Sequence, residues 1–292
     1  MQEVGKAALS VLIPTKDEER NIAACIQSVV WASEIVVFDS LSMDRTRDIA
    51  QGYGAKVVQR EFGNFSAHKN WALDNIRFEN DWILIVDADE RITETLAGEI
   101  QDLLKQRPKR NGYYVARQNW FCGKWIRHGG WYPDWQLRLI RRGCARYESR
   151  IVHEHILLDG PAGHLKNPLV HQDDKGIERY FERHNSYSSF EAIEAYQQMV
   201  GNGLGEYLPA DSTGPGPGRR RLLKTLTYRY LPARSLFKFL WMYVFKLGFL
   251  DGRIGFRYCL LHTFYEYQIS LKLEELKEPE SPMREKSRRY LK

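Results

Sequence analysis

Asp87-Ala88-Asp89 follows directly on the apolar run Trp82-Ile83-Leu84-Ile85-Val86. Two carboxylates one residue apart, where a strand leaves a sheet, suit a hard divalent cation that takes oxygen ligands and bridges phosphates. Such a cation, Mg²⁺ or Mn²⁺, neutralises charge developing on a diphosphate leaving group. Acidic pairs end many strands by chance. Here Thr15, Asp17 and Glu18 close the earlier run Leu9–Ile13, and Asp39 closes Ile35–Phe38. Asp39 can accept hydrogen bonds from a base or ribose, and Asp44 suits a helix cap.

Asp134 stands among Trp131, Tyr132 and Trp135, aromatics able to stack on a sugar. One carboxylate there can deprotonate a hydroxyl as that hydroxyl attacks a carbon. Apolar surroundings would raise its pKa. The plainer alternative is a solvated loop acid, and Glu154 is the rival base. His153 is a candidate for an additional metal or phosphate ligand, although with His155, His164 and His171 it makes no zinc spacing. Arg138, with Arg141 and Arg142, can hold a diphosphate or an anionic acceptor, or else belong to a solvated charged face.

The elements that must position these residues alternate. Leu9–Ile13, Ile35–Phe38, Lys56–Val58 and Trp82–Val86 read as strands. Glu18–Trp31, Asp44–Ala50, Phe65–Ile76 and the segment capped by Thr93 read as helices. Such alternation predicts βαβ units, a mostly parallel sheet covered on both faces, and a ligand crevice at the carboxyl ends of the strands. Further strands follow at Tyr113–Arg117 and Gln136–Arg141, then a long amphipathic helix over Ile177–Val200.

Of the 292 residues, 43 are Lys or Arg and 37 are Asp or Glu, a net +6 that hides an asymmetry. Residues 1–218 hold 26 basic and 30 acidic residues, and residues 219–292 hold 17 and 7, so the body is −4 and the tail +10. The tail also carries 14 of the 37 aromatics. Ser235–Leu250 is strongly apolar but interrupted by Lys238 and Lys246, and falls short of the roughly 20 residues of a spanning helix. It reads as an interfacial helix on an anionic membrane surface, with Ile254–Leu273 as a second, and packing onto the body as the alternative. The aliphatic content argues against nucleic acid as partner. Met1–Ala8 shows no signal peptide. Four scattered cysteines fit a reducing compartment. There is no GxGxxG, no Walker A sequence and no nucleophilic Ser or Cys motif.

In order and spacing, Pro14 to Glu18, Asp39 to Thr46, His68-Lys69-Asn70 and Asp87-Ala88-Asp89 resemble family 2 glycosyltransferases of the nucleotide-diphospho-sugar (GT-A) fold. Trp131 to Leu139, Val152-His153-Glu154 and Gly248 to Gly252 extend the resemblance to bacterial enzymes of lipopolysaccharide core and surface polysaccharide synthesis. The likeness implies nucleotide contacts from Pro14, Thr15, Glu18, Asp39, Lys69 and Asp87. It implies the metal on Asp89 and catalysis by Asp134. Trp131, Trp135, Arg138, His153 and Glu154 are left for the acceptor or phosphates. Ser40 stands where a second acid is usual and Asp17 where Asn is common. Asp134-x-Gln136-x-Arg138 differs from the QxxRW of processive synthases, which argues for single-sugar transfer.

The expectation is an α/β GT-A catalytic domain over 1–200, a Gly/Pro loop over 201–218 and a membrane-associating helical tail over 219–292. The implied activity is inverting, metal-dependent transfer of one hexose from a UDP-sugar to a lipid-linked glycan. The implied place is the cytoplasmic face of the bacterial inner membrane, as a peripheral (monotopic) protein. Two alternatives stand beside it: a nucleotidyltransferase that makes the sugar nucleotide, and a non-catalytic membrane-surface protein.

Overall fold

The run Leu9–Ile13 is the middle of a nine-residue strand, β1 (Ala7–Thr15), in a computed structural model that describes residues 6–63, 65–148, 155–200 and 234–290. Helix α1 (Ile22–Gln27), strand β2 (Ala32–Asp39), helix α2 (Thr46–Gly52) and strand β3 (Lys56–Gln59) follow. Next come α3 (Phe65–Asn75), β4 (Trp82–Ile85), β5 (Glu90–Arg91) and α4 (Glu94–Lys105). The expected alternation is therefore present, with one helix much shorter than predicted. Residues 18–21 do not join α1, because their polar groups serve elsewhere. The Glu18 amide donates to Thr46 Oγ1 (2.7 Å), the Glu19 amide to Asp44 (3.0 Å), and the Asn21 side chain to Glu18 and Asp173. Thr93 caps α4 as predicted, its hydroxyl accepting from the Leu96 amide at 3.2 Å.

Strand β1 splits the core by the two-residue strand period. Leu9, Val11 and Ile13 pack with Ile22, Cys25 and Ile26 of α1, Ala50 of α2 and Leu96 and Ile100 of α4. Leu12 packs on the opposite face with Val36, Phe38, Ile83, Ile85 and Ala72 of α3. Both faces are thus covered, as continuous apolar strands require.

The later strands are β6 (Gly112–Phe121), β7 (Lys124–Trp125), β8 (Asp134–Arg141), β9 (Ala145–Tyr147), β10 (Ile156–Leu158), β11 (Ala162–His164) and β12 (Leu169–His171). The main sheet runs β3-β2-β1-β4-β8-β6-β12-β5, with β7 and β11 also on β6. Register decides where the polar ends go. Strands β1 to β4 are mutually parallel, so Thr15, Asp39 and the residues after Ile85 share one edge. Strand β8 is antiparallel to β4, which brings its first residue, Asp134, to that same edge. Strand β6 is antiparallel to β8 and β12 parallel to β6, so Arg117, Asn119 and His171 arrive there too.

A first unit closes at Gly176, and a second begins at Ile177. The expectation placed residues 177–200 with the catalytic domain. By packing, α5 (Gly176–Met199) sorts with the C-terminal helices, because Ala192 and Ile193 are buried with Ile269, Leu276 and Met283. Lys272 reinforces this, donating to Asn185, Ser188 and Ser189 at 2.6 to 2.9 Å. The tail segments become α6 (Arg234–Leu240), a π turn (Trp241–Phe245), a 3-10 turn (Gly248–Asp251), α7 (Gly252–Glu275) and α8 (Pro282–Tyr290). Among the described residues no helix is long and apolar enough to cross a membrane. The expected loop 201–218 lies outside the described residues. All four cysteines are free thiols.

Candidate active site

At the sheet edge the side chains form a closed ring of polar contacts. Arg138 Nη2 lies 2.5 Å from both Asp87 Oδ2 and Glu90 Oε1. Arg117 reaches Glu90 at 3.8 Å and Asp134 Oδ2 at 2.7 Å. Asn119 donates to Asp134 at 3.4 Å and faces His171 Nδ1 at 3.1 Å. His171 Nε2 lies 3.2 Å from Asp89 Oδ2, which returns the ring to the Asp-Ala-Asp turn. The proposed metal ligand and the proposed base are therefore positioned by one network.

Arg138 enters this ring through a bulge. Along β6 the partner steps from Leu139 opposite Tyr113 to Leu137 opposite Tyr114, so Arg138 has no place in the ladder. The extra residue is re-aimed, here toward Asp87 and Glu90. Arg138 is buried, which corrects the alternative of a solvated face: its Nη2 touches two carboxylates.

The electrostatics follow from burial and those partners. Burial raises the Asp134 pKa, but the Arg117 charge and hydrogen bonds from Gln136, Arg117 and Asn119 outweigh it, so the carboxyl sits below its ordinary value. The expected upward shift is thus reversed. Among the described residues, Oδ2 accepts from Arg117 and Asn119 while Oδ1 accepts from Gln136 alone (2.8 Å), which leaves acceptor capacity on Oδ1. Asp87 is likewise held low, burial being outweighed by Arg138 and Lys69. Burial carries Glu90 the other way, above the usual carboxylate range. Glu18 is also raised, by burial first and with Asp89 adding repulsion, although Lys175 pairs with it at 2.6 Å.

The nucleotide candidates divide. Asp39 is fully buried. Its oxygens accept from Ser42 (amide 3.0 Å, hydroxyl 2.5 Å), Thr15 (3.3 Å) and Gln59 (3.3 Å), so it organises the turn after β2. Ser40, in the place of a second acid, bonds His68 Nε2 at 2.9 Å, and His68 stacks on Phe38. Lys69 stands over the Tyr147 ring at 4.9 Å. Pro14 and Thr15 end β1 beside Phe38 and Asp39.

Of the aromatic candidates, Trp131 is half-buried in the segment before β8. Trp135 does not join Asp134. Strand β8 begins at Asp134, two residues earlier than predicted, so adjacent residues face opposite sides of the sheet. Trp135 sits edge-on to His164 on the other side, with ring centroids 4.7 Å apart. His153 and Glu154 lie outside the described residues.

Sequence reasoning missed Glu90, Arg117, Asn119, Lys175 and the role of His171. Glu90 had a signal: it continues Asp87-Ala88-Asp89 and sits where β5 begins. His171 had one too: it closes the apolar pair Leu169-Val170 at the end of β12, as Asp39 closes β2.

Asp89, with Asp87 beside it, offers carboxylate oxygens suited to Mg²⁺ or Mn²⁺, and the His171 imidazole stands 3.2 Å from Asp89 as an additional nitrogen donor. Among the described residues no group of three or more His, Cys, Asp or Glu is arranged to hold a metal. A set of one or two carboxylates completed by substrate phosphates and water is how such ions are commonly held, so the residues fit.

Residues 10–154 match the family model described as Glycosyl transferase family 2. The chain is 30% identical over 201 residues to the lipopolysaccharide core biosynthesis glycosyltransferase LpsC of Rhizobium meliloti (strain 1021), covering 65% of this chain and 72% of that one. It is 39% identical over 102 residues to an uncharacterized glycosyltransferase of Rickettsia bellii (strain RML369-C), covering 35% of this chain and 34% of that one. Among solved structures it is similar to the mannosyltransferase PcManGT of Pyrobaculum calidifontis in complex with GDP-Man and Mn²⁺. That likeness has a TM-score of 0.52 at 14% identity, over 94% of this chain and 89% of that one, and it bears on the fold, which is GT-A as expected.

Proposed function

The chain belongs to glycosyl transferase family 2, and on that footing we propose that it moves one hexose from a nucleotide-diphospho-sugar, a UDP-sugar, to a lipid-linked glycan with inversion. The observation that carries this reading is the ring itself: Asp134 and the Asp87–Asp89 turn are held together by Arg117, Glu90, Arg138, Asn119 and His171. A reacting acceptor must meet a base and a departing diphosphate must meet its counter-charge at the same moment, and one rigid frame supplies that coincidence.

Asp134 takes the proton from the acceptor hydroxyl as its oxygen bonds the anomeric carbon and the carbon–phosphate oxygen bond breaks. Nucleoside diphosphate leaves, and inversion follows from attack on the opposite face. Arg117 keeps Asp134 ionised, and Gln136 fixes its orientation through Oδ1. Asp89 and His171 would hold Mg²⁺ or Mn²⁺, which supplies charge neutralisation on the diphosphate. Thr15, Asp39 and Ser42 shape the nucleotide pocket, with Pro14, Glu18, Lys69 and Asp87 at its border.

LpsC, named for lipopolysaccharide core biosynthesis, supports a lipid-borne acceptor and a place in polysaccharide synthesis at the inner membrane. The apolar and basic C-terminal helices support a peripheral seat on the anionic cytoplasmic face. The test is hydrolysis and transfer across a panel of nucleotide sugars, with and without EDTA, comparing wild type with Asp89→Ala. UDP release that needs Mg²⁺ or Mn²⁺ and is lost in Asp89→Ala is expected. Release of pyrophosphate would assign the chain to sugar-nucleotide formation. No turnover of any donor would refute the proposal.

A further inference from the structure

The second unit contains an antiparallel helical hairpin. Helix α6 packs along α7, with Arg234 paired to Glu266 (2.8 Å) at one end and Phe239 against Phe256 (5.8 Å between rings) nearer the other. The π and 3-10 turns form the tip. The tip is closely fitted: a Cβ on Gly255 would stand 2.3 Å from the Gly248 carbonyl oxygen, so the 3-10 turn rests directly on the first turn of α7. Leu247 takes a left-handed backbone (φ 58) to enter that turn. A side chain there is strained, so the surrounding packing holds the conformation.

This rigid tip presents apolar groups outward. Phe245 is 70% exposed, Leu250 54%, Trp241 53% and Leu247 46%. Along α7 the exposed residues Phe256, Leu260, Phe264, Tyr267 and Leu271 recur at helical spacing and make one stripe. Soluble surfaces seldom leave so much contiguous apolar area uncovered. The charges beside it are one-sided. Lys246, Arg253 and Arg257 are exposed, and the one acid between residues 234 and 265, Asp251, is buried.

We infer that the hairpin is a membrane wedge: its tip, Phe245 to Leu250, inserts into an anionic phospholipid leaflet, α7 lies in the interface on its exposed stripe, and Lys246, Arg253 and Arg257 bind the headgroups. This deepens the proposed membrane-surface role and rests on it. Aromatic and aliphatic groups flanked by cations are the composition of helices that lie in the interface plane. A second copy of the chain fits the face poorly, because a symmetric contact would set these cations against their own copies.

Co-sedimentation of the full chain with vesicles tests the wedge. Wild type is expected to bind vesicles of phosphatidylcholine mixed with phosphatidylglycerol far better than phosphatidylcholine alone. Phe245→Glu with Leu250→Glu should weaken that binding by about a hundredfold, at about tenfold or more for each buried apolar side chain lost. Lys246→Glu with Arg253→Glu and Arg257→Glu should remove the preference for phosphatidylglycerol. Both variants alter exposed positions, and unchanged circular dichroism and melting would show that they fold. Equal vesicle binding by wild type and Phe245→Glu/Leu250→Glu overturns the wedge. So does a wild-type dimer in light scattering that these substitutions convert to monomer. Donor hydrolysis without vesicles is measured in parallel: its absence with vesicle binding intact refutes the transferase chemistry and leaves the wedge standing.

Discussion

Arg138→Met tests whether the ring at the sheet edge is the frame of the site. Methionine keeps most of the buried length and removes the guanidinium that touches Asp87 and Glu90 at 2.5 Å. Breaking one partner out of a buried ion pair costs about 3–5 kcal/mol. Here the two carboxylates respond differently. The Asp87 side chain is 31% exposed and can rehydrate, whereas that of Glu90 is 0% exposed and, among the described residues, keeps the Asp87 amide (3.1 Å) and Arg117 at 3.8 Å. Glu90 has one escape, which is to take up a proton. From its ordinary value of 4.5 to pH 7 that costs about 3.4 kcal/mol at 1.36 kcal/mol per unit, and to pH 5 about 0.7 kcal/mol. The penalty should therefore be capped near 3 kcal/mol at pH 7 and fall to about 1 kcal/mol at pH 5. Urea unfolding followed by tryptophan fluorescence at both pH values measures it. Arg138→Met combined with Glu90→Gln should recover most of the loss at pH 7. A penalty under about 1 kcal/mol at pH 7, or an equal penalty at both pH values, would show that Arg138 does not neutralise a buried acid.

Asp134→Asn should lower kcat by about 10²–10⁴-fold with donor KM unchanged; in a steady-state assay, retention within tenfold would place the base elsewhere. Arg117→Met removes the charge that holds Asp134 below its ordinary 3.8, so the acid limb of the kcat/KM profile should move to higher pH, and an unmoved limb would detach Arg117 from the base. Burial, with Arg60 adding repulsion, depresses the His68 pKa from 6.5 to about 4. Between those values the unfolded chain binds the extra proton, so stability should fall by up to about 3 kcal/mol as pH drops from 6.5 to 4. Thermal melts across that range should show a shallower slope for His68→Gln, and an unchanged slope would mean that His68 is not the group responsible.

The local parts of this protein were legible in one dimension. Apolar runs closed by Thr15, Asp39 and Asp87 marked three parallel strands, because a strand buried on both faces must be apolar throughout and can turn polar only where it leaves the sheet. Thr93 and the helix it caps were readable for the same kind of reason: a cap acts within three residues. The two-residue error at the start of β8 shows the limit. With the strand begun at Gln136, Trp135 looked like a neighbour of Asp134; with it begun at Asp134, alternation sends the two to opposite faces.

Sequence by itself determined the α/β class, the family resemblance, the Asp87–Asp89 turn and the division between an acidic body and a basic, aromatic tail. Tertiary structure decided which residues meet. Arg117 and Asn119 reach Asp134, His171 reaches Asp89, and Arg138 reaches Asp87 and Glu90 only because β6, β8 and β12 pair across long sequence separations in one register. No local propensity encodes that pairing, and the bulge that re-aims Arg138 exists only between two strands. The sign of the Asp134 shift was decided in the same way: its aromatic neighbours in sequence argued for a raised pKa, and an arginine seventeen residues away, adjacent in space, lowers it.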